Sequence, residues 1–178
     1  MIRTTCVWCT VVVLWAFAPS PALAQDSRTA ALATELARLL DSRKLDSIAA
    51  PLGDQWVGAL HLAGSQLLVV SGKYSGSVRM DALIGQKAYR ELYINLNSAS
   101  DPASKVLISD LGANGLRLKR ENSEPADRVD LGGKSYTFDG NWAKARISEE
   151  EYAKAFRTAD DQYAQMLQAL LAEARKGS

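Results

Sequence analysis

The segment from Ile147 to Lys176 constrains this chain more than any other. Ser148 and Glu151 have the spacing of a capping box, and Ile147 and Tyr152 flank it as a hydrophobic staple. Glu149, Glu150 and Glu151 follow where a helix dipole favours negative charge, and Arg175 and Lys176 stand where it favours positive charge. Between them Tyr152, Phe156, Ala159, Tyr163, Met166, Leu167, Leu170 and Leu171 form one continuous apolar stripe. The pattern predicts a helix over 149–176, about 40 Å long at 1.5 Å per residue. A stripe that long must be covered along its whole length. Its distal turns, from Met166 onward, are expected to meet the first helix or a second copy of the chain, which makes a homodimer through this helix one expected assembly.

The other end of the chain reads as an address. Arg3 is the only charged residue among the first 24, and Cys6 to Ala18 is a mostly apolar run too short to span a bilayer core of about 30 Å comfortably. Pro19, Pro21 and the small-x-small triplet Ala22-Leu23-Ala24 complete a secretory signal peptide, with cleavage expected after Ala24. Neither cysteine has the small residue before it that a lipoprotein box needs, so no stable membrane anchor is expected. Residues 25–178 then form a single domain with no repeat, linker or low-complexity tract, and a periplasmic or secreted location follows. Both cysteines leave with the signal, and with them disulfides, thiol nucleophiles and cysteine metal sites. Setting Arg3 aside, 20 basic residues stand against 20 acidic ones. A chain so balanced has no electrostatic footprint for nucleic acid or an anionic membrane.

Within that domain, Leu32, Leu36, Leu39 and Leu40 predict a first helix over 27–42, capped by Asp26 or Ser27. A short segment, Leu45 to Ala50, leads to Pro51 and a Gly53-Asp54 turn. Residues 56–62 and 66–71 read as a hairpin, and Leu67 to Val70 is apolar on both faces, so this strand should be covered on both sides. A short helix over 77–84 and a strand over 89–96 come next. Asn114-Gly115, between 106–110 and 116–119, and Gly132-Gly133, between 128–131 and 135–138, carry the residues that two-residue hairpin turns demand. One helix, about seven strands with a small helix among them, and a long last helix make an α+β domain with an antiparallel sheet.

The stretch from Leu39 to Ser71 (helix, strand, Gly-Asp turn, strand, one-glycine turn, strand) resembles the start of the pyridoxamine-phosphate-oxidase-like split β-barrel family. The resemblance implies a split-barrel-like sheet and a third strand that ends in a serine and basic segment meeting the phosphate of FMN. Here that segment corresponds to Ser71-Gly72-Lys73-Tyr74-Ser75-Gly76-Ser77-Val78-Arg79. The basic flavin contacts usual on the second strand are absent from 56–62, so the scaffold is expected without the cofactor, FMN being the alternative.

The same run is the best ligand candidate on residue grounds. Its glycines admit an anion to the backbone, Ser71, Ser75 and Ser77 offer hydroxyls, and Lys73 and Arg79 supply charge. It lacks the spacing of a P-loop or a hydrolase elbow. Asp110 to Glu121 partly matches a calcium loop, but Gly112 and Leu118 occupy two ligand positions and an Asn-Gly hairpin accounts for the same residues, so no metal is assigned. His61, the sole histidine, reads as a strand residue with a satisfied ring. The acidic residues are scattered, with no evident catalytic couple. The expected function is an exported, non-catalytic binding or interaction protein with a small anionic ligand; the alternative is an FMN-binding oxidoreductase. Intact-mass measurement of the exported protein should give a chain starting at Gln25, and a retained N-terminus would contradict the signal reading.

Overall fold

The computed structural model describes residues 22–62, 65–73, 106–118 and 126–176. Helix α1 (Ala22–Arg43) precedes six strands: β1 (Ser47–Leu52), β2 (Gln55–Leu62), β3 (Gln66–Gly72), β4 (Val106–Leu111), β5 (Arg128–Leu131) and β6 (Lys134–Thr137). Helix α2 (Glu149–Lys176) closes the described chain. The strands pair antiparallel in chain order, an open meander with β1 and β6 at its edges. The protein is α+β, as the sequence pattern predicts. The expected helix over 77–84 and strand over 89–96 lie outside the described residues.

One face of the sheet carries Ile48 and Ala50, Val57 and Ala59, Leu67 and Val69, Val106 and Ile108, and Val129, all in register. These side chains form one core with α1 and α2. Ala49, Leu60 and Val70, on the opposite face, are buried too. The β1–β3 half of the sheet is therefore covered on both sides, as the apolar run of β3 requires.

Helix α2 occupies the residues its caps specify. Glu151 N–H donates to Ser148 Oγ at 3.1 Å, and Tyr152 of the staple is buried. Its first turns hold Phe138, whose ring meets Tyr152 and Phe156 edge-on at 5.3 and 5.0 Å. From there the helix crosses to β1 and β2. Helix α1 runs parallel beside it: Thr29 reaches Asp160, and Arg43 donates to the Ala174 carbonyl. Leu170 and Leu171 are 0% and 1% exposed within a single chain. The distal turns thus meet the first helix, and these two leucines are packed within the single chain.

Helix α1 begins five residues earlier than its apolar spacing suggests, at Ala22 rather than Ser27, so Asp26 and Ser27 lie within it and not at its cap. It ends in a Schellman turn: Leu45 N–H donates to the Leu40 carbonyl, Lys44 N–H to the Asp41 carbonyl, and Lys44 takes a left-handed φ of 54°. Most of the short segment Leu45 to Ala50, together with Pro51 and Leu52, forms β1. Pro51 fits there because β1 is an edge, where a missing N–H breaks no ladder on its outer side. Gly53 supplies the left-handed φ at the first position of the β1–β2 turn, and Gly132 and Gly133 do so at both positions of the β5–β6 turn.

The Asn114-Gly115 hairpin does not form. Asn114 is not left-handed, whereas Gly112, Ala113 and Gly115 are, and β4 pairs with β5 instead of with residues 116–119. Two carboxylates redirect this loop. Asp110 accepts the N–H groups of Asn114 and Gly115, at 3.1 and 2.9 Å, and Asp127 accepts those of Leu111 and Arg117, at 2.9 and 3.4 Å. The loop so folded presses against α1, where Thr34 Oγ1 donates to the Ala113 carbonyl. A Cβ on Gly115 would stand 2.4 Å from the Ala30 nitrogen, and its φ is 83°. Gly115→Ala is therefore expected to cost about 3 kcal/mol or more, from backbone strain and a clash with no soft partner. Chemical denaturation checks this, and a loss under about 1 kcal/mol would mean that α1 does not sit on this loop.

Candidate ligand-binding cleft

Between α2 and one end of the sheet face, a cleft of about 480 Å³ opens among the described residues. Leu52 and Gln55 reach it from either side of the β1–β2 turn, Ser71 from the end of β3, Val106 from the start of β4, and Leu131 from the end of β5. Each of these five strands thus contributes its endmost inward residue, as the register demands: Ser71 stands opposite both Val57 and Val106, and Val106 opposite Leu131. The opposing wall is α2, through Gln162, Gln165 and Met166, which share one helix face by their spacing of three and four.

The chemistry of the wall is uniform. Leu52, Val106, Leu131 and Met166 are aliphatic, while Gln55, Gln162, Gln165 and Ser71 are polar and uncharged. None of the described lining side chains titrates, so none can act as a general acid or base. Gln162 Oε1 is buried and has no hydrogen-bond partner. An unmet buried acceptor costs about 1–3 kcal/mol, which makes this amide the group in the cleft most in need of a partner.

Ser71, predicted from sequence, is a buried residue of this wall. Lys73 stands at the same end of the sheet, with its Nζ 2.5 Å from Asp54 Oδ2, and that contact holds the Asp54 carboxyl below the usual carboxylate range. Ser75, Ser77 and Arg79 lie outside the described residues. Among those described, a flavin phosphate would find one basic side chain, Lys73, already engaged by Asp54. Gln55, Gln162 and Gln165 carried no signal in the sequence, since a glutamine on an amphipathic helix or at a strand end reads as ordinary solvated surface.

His61 sits at the far end of β2 from Gln55, roughly 20 Å away at about 3.4 Å per residue. Its ring is not fully satisfied, contrary to the sequence reading. Nδ1 lies 2.9 Å from Asp41 Oδ1, but Nε2 is buried without a partner. It lines a separate polar pocket of about 430 Å³ with Asp41, Lys44, Asp46 and Ser65.

The buried acids serve the fold. Tyr163 O–H donates to Asp110 Oδ2 at 2.8 Å, and Thr29 Oγ1 donates to Asp160 Oδ1 at 2.8 Å. Among the described residues, no three His, Cys, Asp or Glu side chains are placed to hold a metal ion. Nor is any described helix long and apolar enough to cross a membrane. No family model, curated protein or solved structure matches the chain, so its function is read from its own residues.

The Tyr163 phenol carries a pH signature. Burial first, and then the negative field of Asp110, Asp127 and Asp160, push its pKa well above 10. The unfolded chain releases that proton near pH 10 and the folded chain holds it, so stability is complete below that pH and falls as pH rises beyond it. The slope is about 1.4 kcal/mol per pH unit for one such group. Tyr163→Phe should make the alkaline fall shallower and cost about 1–2 kcal/mol at pH 7, because Asp110 loses a donor. Denaturation midpoints between pH 7 and 11 test both; an unchanged alkaline limb in the variant would contradict the assignment.

Proposed function

We propose that this chain is an exported binding protein that holds a small molecule in the cleft between α2 and the end of the sheet, without chemistry of its own. The observation that carries the reading is the composition of the wall: four aliphatic side chains, four uncharged polar ones, and no titratable group among the described lining residues. Small-molecule sites share that character, apolar over most of their surface with a few polar groups that set orientation, and occupy about 300–1,000 Å³. Export rests on the N-terminal pattern of Arg3, the apolar run 6–18 and Ala22-Leu23-Ala24. The Asp41–His61 pair is too far from the cleft to supply it with a base.

Filling the cleft tests the reading. Gln165 is an exposed residue of a helix wall, so Gln165→Trp adds bulk to the cleft at little cost to packing. Native mass spectrometry, after incubation with a small-molecule extract, should show an adduct on the unaltered chain that the variant lacks. No adduct on the unaltered chain, or one that persists in a folded Gln165→Trp variant, would contradict the proposal.

A further inference from the structure

We infer that the cleft takes an uncharged ligand that presents an N–H or O–H donor to Gln162 and an aliphatic group to the sheet; this rests on the binding reading above. The first ground is charge. A charged ligand leaving water for this cleft would meet no opposite charge in the described lining, and desolvation without compensation penalises it. At this end of the sheet Lys73 and Asp54 are already paired with each other at 2.5 Å.

The second ground is the unmet acceptor. Gln162 Oε1 is buried without a partner on a side chain that lines the cleft, whereas Ser71 and Gln165 have no buried atom left unmet. A ligand N–H or O–H supplies the missing donor. The amide is also two-fold about its last torsion, so one turn presents a donor as readily as an acceptor. Primary and secondary amides match that pairing best, because they too carry a donor and an acceptor side by side. The third ground is shape. Leu52, Val106, Leu131 and Met166 are all aliphatic, and no aromatic ring stands among the described lining side chains to stack on a flat ligand. A branched aliphatic group fits such a surface.

Three probes of one shape and different charge separate the terms: N-acetyl-leucinamide, which is neutral, N-acetylleucine, an anion, and leucinamide, a cation. Each is titrated into the full exported chain while the side-chain amide signals of Gln162 and Gln165 are followed by NMR. N-acetyl-leucinamide is expected to shift both saturably, with a Kd at least tenfold lower than either charged analogue. Gln162→Leu should raise that Kd at least tenfold. Gln162→Glu keeps the size of the side chain and guards against a folding artefact; it should weaken N-acetylleucine further while leaving a measurable site for the neutral probe. If either charged analogue binds as tightly as the neutral one, or if both variants bind the neutral probe unchanged, the inference falls while the cleft stands as a binding site. If no probe shifts the cleft signals, the inference falls as well, and the adduct experiment with Gln165→Trp decides the binding reading separately.

Discussion

The carboxylate of Asp110 is the point on which the described structure turns. It is fully buried, and it accepts from the backbone of Asn114 and Gly115 and from the Tyr163 hydroxyl. A buried carboxylate is tolerable only when such donors replace its water. Here the donors come from two different elements, so meeting the charge joins the end of β4 to the middle of α2. The folded loop then brings Gly115 against Ala30, and Thr34 bonds Ala113 from α1. Asp127 holds the same loop through Leu111 and Arg117, and Asp160 of α2 accepts from Thr29 of α1. Sheet, loop and both helices are tied together by polar groups inside a core that is otherwise aliphatic and aromatic.

That arrangement places the cleft. Helix α2 is held at Phe138 by its first turns and at Asp110 by Tyr163, then runs on beside α1. The sheet end carrying Leu52, Ser71, Val106 and Leu131 lines one cleft with Gln162, Gln165 and Met166 of that helix. The buried carboxylates Asp110, Asp127 and Asp160 are thus committed to scaffolding, while none of the described side chains lining the opening titrates.

The sequence was most informative where the determinants are local. Helix α2 has the bounds its capping box, staple and stripe predict, and the Gly132-Gly133 turn forms between β5 and β6. Local signals misled where long-range groups compete with them. Asn114-Gly115 has the composition of a hairpin turn, but the side chains of Asp110 and Asp127 take the backbone amides and fold the loop against α1. In the sequence Asp110 reads as the first position of a partial calcium loop and Asp127 as one of the scattered acids, because their partners are mostly main-chain groups with no residue identity to reveal them. Ser71, singled out in the sequence as the start of the Ser71–Arg79 run, lines the cleft. Gln55, Gln162 and Gln165 were not singled out, since only the crossing of α2 over the sheet brings them to one opening.

Amide hydrogen exchange at Asn114 and Gly115 tests the role of Asp110 most directly. Neither amide belongs to a helix or strand, and both donate to that one carboxylate. If Asp110 joins the sheet to the helices, both amides exchange only with global unfolding, at the rate of the amides of β3 and β4, and Asp110→Asn releases them together with loss of stability. Exchange at the rate of an open loop in the unaltered chain would contradict that role.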